Sequence, residues 1–411
     1  MNTGVEQSFV LGKFKKQVDS RLRKLDEEKF VQRMWNKDSS LWNTPSGTVA
    51  KSLPLGWLDV VDKMLAAVPE IESFRDRMYA AGFRQVVLLG MGGSSLAPYV
   101  LQKTFQTSKV MRLIVLDSTD PESVKKTESG ISMENTLFIV SSKSGNTAEV
   151  MAFFNYFYAR VFELKGEKAG DNFIAITDEG SPLTKLARKK NFRELFINFS
   201  DIGGRFSALS YFGIIPAALI GINISAFLQQ AKSMMEECGP DVPASQNPGV
   251  ILGVAIAEMA SKGCNKLTYL MPWELSSFGL WLEQLIAEST GKQGKGILPI
   301  NGIPLLEIDT YGKDRCFLSI GFINEPDYVQ NQRLKDFTFL DYPLINIQIK
   351  DVMELGREFF RWEIATAVAG AVLEMDPFDQ PNVEESKKCT NKLLAKLEEE
   401  GHLPETSTAL V

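Results

Sequence analysis

From Trp57 onward the chain alternates short apolar runs with amphipathic stretches. Gln85–Leu89 (QVVLL), Leu113–Leu116 (LIVL), Thr136–Val140 (TLFIV) and Phe173–Ile176 (FIAI) are each followed by small polar residues and then by a helical pattern. Such runs, punctuated by Gly, Ser, Thr or Asp, predict parallel strands joined by crossover helices. A second region of the same style begins near Pro248. It has predicted helices over Gly249–Ser261 and Ser276–Glu288, and predicted strands over Lys266–Met271, Cys316–Gly321 and Leu344–Ile349. A long helix follows at Glu354–Leu373, then a turn at Met375–Pro381 and a charged helix at Val383–Glu400. Before Trp57 the pattern is helical, with Phe14, Val18, Leu22 and Leu25 at helical spacing, followed by a polar segment, Asn36–Pro54. This reads as a cap on two α/β domains that meet near Cys238–Gln246. No short-period repeat is present, which excludes solenoids and propellers.

One stretch departs from the rhythm. Phe206–Ala231 carries no charge, but Ser207, Ser210, Pro216, Asn223 and Ser225 interrupt it. A membrane span needs about 20 strongly apolar residues, so a buried core helix is the expectation. The first 16 residues contain no apolar core of signal-peptide length, and a cytoplasmic protein is expected. With 411 residues and 44% hydrophobic content, the chain can bury a large core without disulfides or structural metals. Its four cysteines (Cys238, Cys264, Cys316, Cys389) form no close pair and read as reduced thiols. The single histidine, His402, argues against a His-ligated metal centre and against a Ser–His–Asp triad. Neither metal nor cofactor is expected. A net charge of −6 with no basic block disfavours nucleic acid and anionic membranes, so an anionic ligand needs a local site.

Ligands of open α/β sheets bind beyond the carboxyl ends of the strands, where the polar clusters fall. Ser141–Thr147 (SSKSGNT) is a turn of small residues that leads into a helix. Its backbone N–H groups, with the hydroxyls of Ser142, Ser144 and Thr147, suit a phosphate, although an ordinary capped turn would look the same. The P-loop spacing is absent. Gly90–Ser95 (GMGGSS) is a second glycine turn. A dinucleotide fingerprint competes for it, with Asp117 as the ribose acid, but Ser95 stands where the third glycine belongs. In GGRFS, Arg205 at the entry to the uncharged stretch could stabilise a developing anion; a structural salt bridge is the alternative. Gln284 and Glu288 share one helix face, and apolar neighbours tune a carboxylate for base work near neutral pH. Glu283 and Glu274 are rival acids. Lys387, in FDQPNVEESK, reads by default as a surface lysine.

These five segments, in this order, resemble the phosphoglucose isomerase family. GMGGSS is similar to its Gly-x-Gly-Gly-Ser element and SSKSGNT to its Ser-Lys-Thr-x-x-Thr loop. GGRFS resembles Gly-Gly-Arg-Tyr-Ser, QLIAESTGK resembles Gln-x-x-x-Glu-Ser-x-Gly-Lys, and FDQPNVEESK resembles Phe-Asp-Gln-x-x-Val-Glu-x-x-Lys. The resemblance implies an α/β fold of two sugar-isomerase (SIS) domains, each a parallel-rich sheet flanked by helices. Their expected bounds are 57–238 and 239–376, with helical segments at 1–56 and 377–411. It also implies isomerisation of glucose 6-phosphate and fructose 6-phosphate in a pocket shared by a homodimer. Glu288 would be the base, Arg205 the oxyanion stabiliser and Lys387 the proton handler at the ring oxygen. Gln284 and Gln380 would orient hydroxyls, while Gly93, Ser94, Ser142, Lys143, Ser144, Thr147 and Gly204 would line the substrate site. The length and the FDQPNVEESKK ending look nearest to the isomerase part of fused transaldolase–phosphoglucose isomerases, which brings up a separate transaldolase as a partner. One departure stands out. The family's ring-opening histidine follows the Glu-Ser-x-Gly-Lys motif, and Gly294–Arg315 has none. A sugar-phosphate-binding module without catalysis, or an isomerase of another phosphosugar, remains the alternative.

Overall fold

The computed structural model describes residues 7–42, 53–105, 110–303, 306–307, 310–323 and 328–402. Most of the polar segment Asn36–Pro54, at 43–52, lies outside them. The helical spacing near the start becomes α1 (Lys15–Glu27), which buries Val18, Leu22 and Leu25, and α2 (Phe30–Trp35). Ahead of them stands a strand absent from the sequence reading, β1 (Gln7–Val10). A 21-residue helix, α3 (Val60–Ala80), leads to the first sheet.

That sheet follows the expected alternation: β2 (Gln85–Gly90), α4 (Leu96–Phe105), β3 (Arg112–Leu116), α5 (Pro121–Ser129), β4 (Thr136–Ser141), α6 (Ala148–Lys165), β5 (Phe173–Asp178), α7 (Pro182–Lys189) and β6 (Glu194–Asn198). The strand order is β3-β2-β4-β5-β6, and every pairing is parallel. All of β4 and nearly all of β2 and β5 are buried, as strands covered on both faces must be. Phe138 packs on Phe157 and Phe173 with ring centroids 5.1 and 5.0 Å apart. This packing holds β4 and β5 under α6. The carboxyl ends of β2 and β4 therefore emerge side by side.

The uncharged stretch is two helices rather than one. α8 (Tyr211–Leu219) is followed by a turn and by α9 (Ile224–Glu237), where Asn223 Oδ1 accepts the Ala226 N–H at 3.0 Å. An Asn at this N-cap position restarts the helix. Among the described residues no helix is long and apolar enough to cross a membrane.

The second sheet is built from α10 (Pro248–Ser261), β7 (Lys266–Leu270), α11 (Ser276–Thr290), β8 (Leu298–Ile300), β9 (Arg315–Phe322), α12 (Tyr328–Phe339), β10 (Leu344–Ile349) and α13 (Leu355–Val372). Its order is β1-β10-β9-β7-β8, parallel except for the antiparallel edge strand β1. The buried helix α13 packs against α9, α10 and α11. The chain forms two compact units, Met1–Pro377 and Phe378–Val411. The second holds α14 (Pro381–Glu400), on which Lys387 is exposed.

Candidate functional site

The first glycine turn and the GGRFS segment meet backbone to backbone. A Cβ on Gly93 would lie 2.3 Å from the Gly204 carbonyl oxygen and 3.0 Å from the Arg205 nitrogen, so only glycine allows this approach. Ser207 Oγ donates to the Gly204 carbonyl at 2.6 Å and fixes the second loop. Ser141 Oγ donates to the Ser94 carbonyl at 3.0 Å, tying the β2 turn to the end of β4. Two strand ends and one helix entry are thus joined around Gly93, Ser94 and Gly204.

Helix α11 supplies the acid. Gln284 and Glu288 share one face, and Gln284 Nε2 donates to Glu288 Oε2 at 3.2 Å. Arg205 Nη1 donates to Glu288 Oε1 at 3.2 Å, and Arg205 Nε donates to Ser289 Oγ at 2.7 Å. The guanidinium also donates to the Pro377 carbonyl. The Arg205 side chain is 3% exposed and that of Glu288 19%, so the pair opens outward on the carboxylate side only. Glu288 is therefore not a carboxylate among apolar neighbours alone; both of its oxygens are held. The glycine turn sits beside this pair, since a Cβ on Gly92 would be 2.9 Å from Gln284 Nε2. Gln284 Oε1 is buried and has no partner among the described residues. Of the rival acids, Glu283 is exposed and Glu274 lies in the turn before α11.

The phosphate-type loop is organised from within. Ser142 and Thr147 hydroxyls lie 2.9 Å apart, and the Gly145 N–H donates to Ser142 Oγ at 3.1 Å. Thr147 is the N-cap of α6, yet its side chain makes no capping bond. The first-turn N–H groups of an 18-residue helix thus keep their donor capacity and the positive end of its dipole. Ser144 is exposed beside them. Lys143 differs from the expectation, because its ammonium pairs with Asp178 and donates to the Ser200 carbonyl at 3.0 Å. Burial pushes the Asp178 carboxyl up from its ordinary value, against the lowering effect of Lys143. Lys143 thus joins the ends of β4, β5 and β6.

The structure brings together Gly93, Ser94, Gly204, Arg205, Gln284 and Glu288, and gathers Ser142, Ser144 and Thr147 in one loop. Gln380 and Lys387 belong to the second unit. Sequence reasoning missed Ser289, Ser207 and Lys292, each inside a quoted motif but with nothing in its own pattern to single it out.

The model of the phosphoglucose isomerase family matches residues 56–297. The chain belongs to the phosphoglucose isomerase family. The matched span contains four of the five motifs, from GMGGSS to QLIAESTGK. The glucose-6-phosphate isomerase of Campylobacter jejuni is 28% identical over 390 residues, covering 84% of this chain and 93% of that protein. That of Methanocaldococcus jannaschii is 27% identical over 350 residues, covering 76% and 85%. The crystal structure of a glucose-6-phosphate isomerase from Chlamydia trachomatis superposes with a TM-score of 0.78 at 20% identity, over 96% of this chain and 90% of that one. The phosphoglucose isomerase fold therefore extends over nearly the whole chain, beyond the residues matched by the family model.

Proposed function

We propose that this phosphoglucose isomerase family member interconverts D-glucose 6-phosphate and D-fructose 6-phosphate by moving a proton between C1 and C2 through a cis-enediol(ate). The observation that carries the reading is the Arg205–Glu288–Gln284 constellation under the Gly90–Ser95 turn. A carboxylate held from two sides and open on a third can take a proton from a carbon placed before it. The adjoining guanidinium stabilises the enediolate oxygen. Gln284 and Gln380 orient hydroxyls. Lys387 handles protons at the ring oxygen, a step that has no histidine in Gly294–Arg315 to share it. Ser142–Thr147, with Gly93 and Ser94, holds the phosphate at the start of α6. A coupled assay following glucose 6-phosphate formation from fructose 6-phosphate tests the reading. Sugar-phosphate binding without turnover would leave a binding module.

Ser144→Ala should raise KM about 10-fold or more with kcat nearly kept, since a charge-assisted hydrogen bond contributes roughly 1.5–3 kcal/mol. An unchanged KM in initial-rate measurements would remove Ser144 from the phosphate site.

The working form we propose is a cytoplasmic homodimer. Trp273 (69% exposed), Leu280 (39%), Leu298 (51%) and Leu306 (50%) lie on α11 and the segments flanking it. Large apolar side chains exposed this close in sequence suit an association surface. Sedimentation should give twice the chain mass at micromolar concentration, and a monomer there would refute the dimer.

A further inference from the structure

Helix α13 ends with a complete main-chain cap. Glu374 takes the left-handed conformation at φ 59, its N–H reaches the Ala371 carbonyl at 3.1 Å, and the Met375 N–H reaches Gly370 at 2.9 Å. This pattern closes a helix without help from side chains. Two residues then remain in the first unit, Asp376 and Pro377, outside any regular element. Side-chain cations take both carbonyls. Lys292 Nζ donates to the Asp376 carbonyl at 2.7 Å, with Lys292 8% and Asp376 5% exposed. Arg205 donates to the Pro377 carbonyl while holding Glu288 and Ser289. Lys292 lies one turn beyond Glu288, just past the end of α11. Both cations therefore tie the helix of the candidate base to the same two-residue turn.

An ammonium is an expensive group to bury, and a helix end already closed by its own backbone does not require one. What the pair of bonds adds is a fixed exit. The next residues of the chain are Phe378, Asp379 and Gln380. We propose that Lys292 is a positioning residue for the isomerisation, clamping the Asp376–Pro377 turn with Arg205 so that the segment bearing Gln380 and Lys387 starts from a set point relative to Glu288. The inference rests on the roles given to those two residues above. It places the demand for accuracy where it matters, since a misplacement of about 1 Å costs about 10²-fold in rate.

Lys292→Met removes the donor and keeps the apolar stem. The expected result is a kcat lowered about 10- to 100-fold with KM within about threefold, and Lys292→Arg restoring most of the loss. The same substitution made in a Lys387→Ala background should lower kcat by less than about twofold, because groups acting through one another are not additive. An equal loss in both backgrounds would mean a structural bond only, and would overturn the proposal. So would a wild-type kcat for Lys292→Met. Should Lys387→Ala itself keep full kcat, the role given to Lys387 fails and takes this inference with it, a result told apart by the single variant. If Lys292→Met does not yield folded protein, Lys292→Gln, which retains an amide donor, carries the same cycle. Thermal unfolding of each variant separates misplacement from loss of fold.

Discussion

Glu288→Gln is expected to lower kcat by about 10²–10⁴, the span lost with a positioned general base, while KM for fructose 6-phosphate stays within about threefold. The reason lies in what the substitution keeps. Glutamine has the same shape, and its amide oxygen can still accept from Arg205, which donates to Glu288 Oε1 at 3.2 Å. Packing against Gln284 and the Gly92 backbone is unchanged. What disappears is the ability to take and return a proton. Substrate anchoring resides elsewhere, in the loop that opens α6, so affinity should be spared. Parallel measurement of kcat and KM in the coupled assay checks the split. A near-normal kcat would move the base to another group, and neither sequence rival is well placed to receive it. Glu283 points to solvent, and Glu274 lies in the 273–275 turn, more than two helical turns before Glu288. A fall in both kcat and affinity would mean that Glu288 binds the sugar rather than deprotonates it.

How much of this site was visible in the sequence depended on how each element is buried. β2, β4 and β5 stand out as unbroken apolar runs because both faces of their sheet are covered. Edge and near-edge strands carry weaker signals. β6 reads ELFIN and β8 only LPI, and both are partly exposed, so neither run is long or regular enough to register. β1 alternates in burial over just four residues, and its pairing with β10 spans more than 300 positions, which no local pattern records. In the uncharged stretch the apolar count was right and the geometry was not, because Asn223 caps a new helix where composition suggests continuity. The site followed the same rule. Gln284 and Glu288 were legible as a pair because helix periodicity puts them together. The partners of Arg205 were not, since Ser289 and Pro377 lie 84 and 172 positions away. Lys143 was visible as a cation in a phosphate-type loop, yet its ammonium is taken by Asp178, 35 positions on. Residue type announces chemistry, but only the fold decides which neighbour uses it.

Arg205 is where that decision has the largest measurable consequence. Its three nitrogens face three directions, toward Ser289, Glu288 and the Pro377 carbonyl. Arg205→Met should lower the unfolding free energy by roughly 3–5 kcal/mol, because breaking a buried pair leaves the other charge uncompensated. It should also lower kcat by about 10²–10³, the loss typical of removing an oxyanion-stabilising donor. Stability alone does not separate a structural bridge from a stabiliser of the reaction, and Arg205→Lys does. A lysine restores the charge beside Glu288 but not the planar fork, so one ammonium cannot serve all three partners. The expected outcome is a melting temperature recovered in large part and a kcat still reduced by about 10²-fold. If lysine recovered both, positive charge alone would be sufficient and the shape of the guanidinium irrelevant. If it recovered neither, Arg205 would be a fold-holding bridge whose removal reaches catalysis only by disturbing α11. The split result alone fits an arginine that both orients the base and faces the charge developing on the sugar.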